Sequence, residues 1–320
     1  MHLVLGLLLV CFAGMAGGQQ PPPPEPTPSA TLRVEVELVN LYCTVKDKKG
    51  RLITDLEASE VEVRENGKKQ ELRFFARETD RPLTLALLVD TSISQKAVLP
   101  IEQQAGAQFL EQVLRPSDLA LLISFDVNVD LLQDFTAEAE RLQRALQRAR
   151  INTPVSLGPF PSTRTGGTHL YDAIFLAARE KLAPEVGRKA IIVISDGVDQ
   201  GSSVTEKHVL EAAQRSDTMI YTIGIADPQY YLQAIGRQYS GSGTLKTLAK
   251  ETGGRAIFPS NPKELQKAFD EIAAELRSQY ALAYSPTNRK RDGRFRKIKI
   301  KVKRKGVRVQ ARKGYYAPKG

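Results

Sequence analysis

Four short and almost wholly apolar segments, separated by segments with helical spacing, constrain the fold of this chain most strongly. Each apolar segment ends in an acid or a Gly-containing turn, as is typical of strands buried on both faces. The segments between them carry apolar residues at intervals of three and four, which predicts amphipathic helices. The alternation predicts an α/β fold with a doubly wound, mostly parallel sheet. The four apolar segments are PLTLALLVD, DLALLISFD, KAIIVISDG and MIYTIGIAD.

The two ends of the chain follow a different, period-two pattern that predicts antiparallel strands. Residues 31–80 alternate apolar and polar residues around an Asn-Gly turn, and residues 280–320 return to this pattern with a predicted hairpin at Lys305-Gly306. Each set has too few strands to be stable alone. We therefore predict a small β-sandwich-like unit built from both arms, flanking an α/β domain at 81–279.

The first thirty residues resemble an export signal and a linker. Residues 1–18 contain an uncharged apolar stretch followed by small residues, which predicts a signal peptide, and residues 19–30 predict a Pro-rich spacer. The apolar stretch is shorter than the roughly 20 residues that span a bilayer. A secreted or periplasmic location is expected, with a retained anchor or a buried strand as alternatives. Without Cys11 only Cys43 would remain, so no intramolecular disulfide is expected.

The net charge of +10 comes from the C-terminal arm. Residues 289–319 contain fifteen Lys and Arg and one acid, Asp292. The cations alternate with apolar residues, which is typical of a strand with one solvated face that resists edge pairing. The alternative interpretation is an anionic envelope surface as partner. No nucleic-acid partner is expected, since the segment lacks the aromatic alternation of a stacking platform.

Acids and hydroxyls follow the predicted strands where each strand leaves the core. Asp90, Ser92 and Ser94 follow the first strand, Thr168 precedes a helix, and Asp196 follows the strand KAIIVIS. Parallel strands end at one sheet edge, so these oxygen atoms should converge. Hard cations such as Mg²⁺ prefer oxygen ligands, and two carboxylates balance a divalent charge. The pattern favours a metal site.

Simpler interpretations stay open for the same residues. Ser92, Ser94 or Thr168 could cap a helix, which would explain a hydroxyl but not two strand-terminal acids. Asp126 is interpreted as a turn residue, with a supporting role beside the metal as the alternative. A serine nucleophile needs a base, and His169 is interpreted mainly as a helix-surface residue. Catalysis is therefore not expected.

The D-x-S-x-S stretch from Asp90 to Ser94, together with Thr168 and Asp196, resembles the metal-ion-dependent adhesion site of von Willebrand factor type A domains. The whole chain resembles secreted bacterial proteins related to that family. The resemblance implies coordination of Mg²⁺, or of Mn²⁺ or Ca²⁺, by the five residues Asp90, Ser92, Ser94, Thr168 and Asp196. It also implies an adhesion-type protein that docks a partner protein with an exposed acidic residue. The alternative is a structural envelope module, in which the metal only stabilises the fold and the basic arm binds anionic components.

Overall fold

The computed structural model describes residues 38–78, 81–151, 167–227, 230 and 241–320. The predicted signal peptide and Pro-rich spacer lie outside these residues. In chain order the strands are β1 (Val39–Lys46), β2 (Val61–Glu65), β3 (Lys68–Gln70), β4 (Leu72–Glu78), β5 (Leu83–Asp90), β6 (Leu119–Phe125), β7 (Val129–Thr136), β8 (Arg188–Ser195), β9 (Thr218–Gly224), β10 (Ala256–Ile257), β11 (Gln279–Tyr284), β12 (Phe295–Val302), β13 (Arg308–Ala311) and β14 (Gly314–Tyr316).

The α-helices of the described residues lie between the strands of the α/β part. They are α1 (Leu99–Val113), α2 (Ala139–Leu146), α3 (Leu170–Leu176), α4 (Glu206–Arg215), α5 (Ser242–Thr252) and α6 (Pro262–Arg277). A π-helical segment, Ala177–Leu182, extends α3. Within the described residues, no helix is long and apolar enough to span a membrane.

The central sheet has six strands in the order β10-β9-β8-β5-β6-β7, and all its pairs are parallel except β6 with the edge strand β7. One face packs against α1, α2 and α6, and the other packs against α3, α4 and α5. Every residue of β5, β8 and β9 is buried as a result. Burial on both faces explains the uninterrupted apolar runs, and the predicted fold class is confirmed.

The arms of the chain pair with each other in two four-stranded sheets beside the α/β part. One sheet has the order β13-β1-β11-β4 and the other has the order β14-β12-β2-β3. Side chains from both sheets form a shared core that includes Leu41, Val63, Tyr280 and Ile298. Neither arm could bury these apolar faces alone, so the two ends of the chain depend on each other.

The predicted hairpin around Lys305-Gly306 is wrong. A turn is present there, and Gly306 has a φ of +75°. The flanking strands then enter different sheets: β12 pairs with β2 and β14, whereas β13 pairs with β1. Alternating residues show which face of a strand is buried but carry no information about the neighbouring strand. The pattern was therefore compatible both with a β12–β13 hairpin and with the observed pairing of these strands in different sheets.

Ion pairs and hydrogen bonds join the β unit to the α/β part. The Glu275 carboxylate at the end of α6 accepts a bond from Lys46 Nζ of β1 at 2.5 Å and one from Gln310 Nε2 of β13 at 3.0 Å. Arg255 also lies 2.6 Å from this carboxylate. Arg312 directly follows β13, and its guanidinium pairs with Asp217, which lies just before β9. Polar contacts therefore hold the two arms against the domain that they enclose in sequence.

Candidate metal centre

The five predicted ligands lie around one edge of the central sheet. Asp90 is the last residue of β5, and Asp196 follows the last residue of β8. These two strands are parallel neighbours, with Val89 opposite Ile194. The register brings both aspartates to the carboxyl edge of the sheet, where open α/β sheets bind ligands.

A continuous chain of hydrogen bonds connects four of the predicted residues. The Asp90 Oδ1 atom accepts a bond from the Ser92 backbone N–H at 2.9 Å. The Ser92 and Ser94 hydroxyls lie 3.0 Å apart, and Ser94 Oγ donates to Asp196 Oδ2 at 2.6 Å. All four residues are buried, and Asp90 and Asp196 are at most 1% exposed. Two carboxylates and two hydroxyls therefore share one small volume.

Thr168 is held beside this chain by its backbone. It exchanges two backbone hydrogen bonds with Gln200, at 3.0 and 2.9 Å, in the loop that follows Asp196. The next residue, His169, donates its N–H to the carbonyl of Asp126 at 2.7 Å, which ties the segment to the end of β6. Thr168 is itself buried. The structure thus places it on the same sheet edge without a hydroxyl bond to the four-residue chain.

The capping interpretation of the hydroxyls does not agree with the geometry. Ser92 precedes a short 3₁₀ turn, Ile93–Gln95, and its side chain makes no capping bond there. Helix α1 begins only at Leu99, and α3 begins at Leu170 after His169, again without a side-chain cap. The Ser92 and Ser94 hydroxyls instead bond to each other and to the second aspartate.

The structure adds residues that the sequence patterns did not single out. Ser195, the last residue of β8, donates its hydroxyl to Asp90 Oδ2 at 2.6 Å and thereby orients this carboxylate. Thr91 donates to Asp126 Oδ2 at 2.9 Å, while Asp126 Oδ1 accepts from the Asn128 N–H at 3.0 Å. Asp126 therefore acts in a turn and also supports the loop that carries the serines. A hydroxyl at the end of an otherwise apolar strand was the available signal for Ser195.

The electrostatics of the cluster favour a cation. Burial, and next the neighbouring Asp196, raises the pKa of Asp90 to about 7. A positive ion beside the two carboxylates would favour their charged forms. The described residues contain no group of three or more His, Cys, Asp or Glu side chains that could hold a metal. Any ion here would need hydroxyl oxygens as well as carboxylates, and hard cations accept such a donor set. Metal binding by the five residues stays a prediction.

Comparisons with known proteins bear on the fold. Searches of protein-family models and of curated proteins found no match. Solved structures do match. BatB from Bacteroides thetaiotaomicron is 19% identical over 61% of this chain and 100% of that chain, with a TM-score of 0.48. The vWF domain of the type V pili tip protein Mfa5 from Porphyromonas gingivalis is 15% identical over 61% and 95%, with a TM-score of 0.47.

Proximal thread matrix protein 1 from the mussel byssus gives a TM-score of 0.51 at 14% identity, over 67% of this chain and 50% of that chain, in a structure with a zinc-occupied MIDAS motif. At these identities the likeness concerns the fold alone. Together with the strand order, the likeness to proximal thread matrix protein 1 confirms the predicted α/β fold with a mostly parallel sheet, which is the fold expected of a von Willebrand factor type A domain.

Proposed function

We propose that this protein is an extracytoplasmic binding protein that holds a divalent cation and docks an acidic group of a partner protein onto it. The observation that carries the proposal is the buried chain of hydrogen bonds from Asp90 through Ser92 and Ser94 to Asp196. Thr168 would add a neutral oxygen from the adjacent loop. Mg²⁺ is the proposed ion, with Mn²⁺ and Ca²⁺ as alternatives. The exported location is proposed from the apolar N-terminal stretch.

The donor set suits binding rather than catalysis. Two carboxylates would balance a divalent charge, while the hydroxyls of Ser92, Ser94 and Thr168 would coordinate without adding negative charge. When bound, the ion would supply a positive centre for an incoming carboxylate. Ser195 and the Ser92 N–H would hold the Asp90 carboxylate in place, through their bonds of 2.6 and 2.9 Å. The fold of proximal thread matrix protein 1, whose MIDAS motif holds zinc, supports a metal at this edge.

The metal site is tested by calorimetric titration of the full chain with MgCl₂. Asp90→Asn keeps one side-chain oxygen, which can still accept the bond from the Ser92 N–H, and replaces the other oxygen with an NH₂ group, so the negative charge is removed. We expect binding heat for the wild type and a loss of affinity of at least about tenfold for the variant. Asp130→Asn, an exposed acid on β7, is the matched control and should bind like the wild type. Equal heats for the wild type and Asp90→Asn would refute the site.

The docking role is tested by pull-down from an envelope extract under three conditions: MgCl₂, EDTA, and EDTA followed by excess MgCl₂. Partner capture should disappear with EDTA, return with MgCl₂, and be absent for Asp90→Asn. Esterification of the partner's carboxylates should also abolish capture. If EDTA, Asp90→Asn and esterification all leave the captured proteins unchanged, docking through the ion is contradicted.

A basic sheet face favours a second candidate function, an envelope module that binds anionic components. Lys297, Lys299 and Lys301 are exposed on one face of β12, and Lys299 lies opposite Arg64 of β2. Arg64 in turn lies opposite Lys69 of β3, so the cations continue across three strands. Co-sedimentation with phosphatidylglycerol vesicles tests this role. Co-sedimentation should weaken as salt is added, and it should be lost when the three lysines of β12 are changed to Gln. The Asp90→Asn variant should co-sediment with the vesicles like the wild type.

A further inference from the structure

A cavity of about 510 Å³ lies near the candidate metal centre but uses other residues. It is formed by the start of α1, the segment after β9 and the start of α6. Its volume is within the usual range of small-molecule sites. Most of its wall is apolar, which suits the hydrocarbon part of a ligand. The apolar side chains include Val98, Ile101, Ile225, Pro259, Pro262 and Leu265.

Among the described residues, the charged side chains that line this cavity are both acids, Glu102 and Asp227. Glu102 belongs to α1 and is fully buried. Within the described part of the chain, neither of its carboxyl oxygens has a hydrogen-bond partner. A buried carboxyl group without partners is costly, and native proteins rarely keep one without a role. This side chain is therefore the feature of the cavity that most needs a ligand.

The surroundings of Glu102 favour a positively charged ligand. Burial raises the pKa of Glu102 well above its usual value, and the nearby Asp90 and Asp196 raise it further. A cation would relieve both effects, because it pairs with the carboxylate and offsets the field of the two aspartates. The buried Gln95 adds a second acceptor beside this wall. Its side-chain oxygen lacks a partner among the described residues, while its amide donates to the Ile225 carbonyl at 3.4 Å.

We propose that the cavity binds an alkylammonium group, with the hydrocarbon stem along the apolar wall and the ammonium head on the Glu102 carboxylate. An ammonium group offers three hydrogen-bond donors and no acceptor, which matches a wall whose unpartnered atoms are acceptors. Glu102 belongs to the cavity wall but is fully buried, so the pairing requires a rotation about its side-chain bonds towards the ammonium head. Both a free alkylamine and a lysine side chain of a partner protein carry such an alkylammonium group. The proposal does not depend on a metal at the neighbouring centre.

The test is a calorimetric titration of the full chain in EDTA with matched cationic and neutral compounds. n-Pentylammonium is compared with 1-pentanol, and capped lysine (Nα-acetyl-lysine N-methylamide) is compared with capped norleucine. We expect the wild type to prefer n-pentylammonium by about tenfold or more, the usual scale of a hydrogen bond to a charged group. Binding of capped lysine as well would assign the site to a protein side chain. Binding of the free amine alone would assign it to a small ligand.

Glu102→Gln keeps the size of the side chain and should reduce the preference for n-pentylammonium to about onefold. Glu111→Gln, an exposed acid on the same helix, is the matched control and should keep it. Ala97→Phe places a bulky group at the exposed rim of the cavity and should abolish binding of both compounds. Absence of binding to the wild type, or an unchanged preference in Glu102→Gln with a native circular dichroism spectrum, would overturn the proposal.

Discussion

Two buried acidic clusters in this molecule have different kinds of partners. In the β unit, the Glu65 carboxylate lies 3.4 Å from the buried Arg296 guanidinium and accepts bonds from the Tyr284 and Tyr315 hydroxyls at 2.8 and 3.0 Å. At the sheet edge, the described bonds to Asp90 come from Ser195 and the Ser92 N–H. The first cluster includes its own cation, which identifies it as part of the structure. The second presents carboxylates among hydroxyls and amides, as a site for an external cation would.

The comparison also explains why burial alone does not identify a functional acid. Glu275 is buried like Asp90, but it is paired with Lys46 and Arg255 and joins the arms to the α/β part. Buried ion pairs contribute little net stability, although the loss of one partner is costly. The chemistry of the described partners therefore separates the two classes: a side-chain cation indicates a structural role, whereas a set of neutral donors is what the proposed cation site would present.

Removal of the cation from the structural cluster should have the largest effect. Arg296→Met would leave Glu65 buried without its guanidinium and would also remove the bond of 2.6 Å to the Asn288 carbonyl. We expect the free energy of unfolding to fall by about 3–5 kcal/mol, measured by urea denaturation. The exposed Arg294→Met is the control and should change it by less than about 0.5 kcal/mol. A similar small change for Arg296→Met would show that the cluster is not structural.

The cluster at the sheet edge gives the next prediction. In the metal-free protein, the free energy of unfolding should depend on pH because of Asp90. Its pKa is about 7 in the folded chain and 3.8 as the ordinary value, so the folded state holds more protons between these limits. In EDTA the free energy of unfolding should therefore decrease as the pH rises from about 4 to about 7, by up to about 1.4 kcal/mol per pH unit. Thermal unfolding across this range measures the slope.

Asp90→Asn should reduce this slope, and excess MgCl₂ should reduce it for the wild type. The remaining slope should come from Glu102, whose pKa is also raised. An equal slope for Asp90→Asn and the wild type would show that Asp90 does not contribute to the pH dependence.

A smaller change in stability is expected when Glu102 is substituted. Glu102 lies in the cavity wall and is influenced by the charges of Asp90 and Asp196. Glu102→Gln removes the cost of a buried carboxyl group beside two aspartates. At pH 8 in EDTA it should raise the free energy of unfolding by about 1 kcal/mol. Glu111→Gln should stay within about 0.5 kcal/mol of the wild type. Destabilisation by Glu102→Gln would show that its carboxyl makes a necessary contact.

Much of the α/β part could be predicted because its strands are buried on both faces. The runs at β5, β6, β8 and β9 are continuous in sequence for this reason. Asp90 at the end of β5 and Asp196 directly after β8 lie where parallel strands must end. The edge strand β7 was missed, since only its last residue is buried and its sequence does not alternate cleanly. The partners of β12 and β13 were missed because a period-two pattern does not name a neighbour.

The sequence by itself determined the kind of fold and the chemical types at the candidate metal centre, since periodicity and strand-end residues are local properties of the chain. Only the tertiary structure decided that Ser195 orients Asp90, that Glu102 lies buried beside both aspartates, and that the two arms share one core. Some of the contacts between the arms join residues about 250 positions apart, such as Glu65 and Tyr315. Such pairs form through packing of whole elements, so no short segment of sequence encodes them.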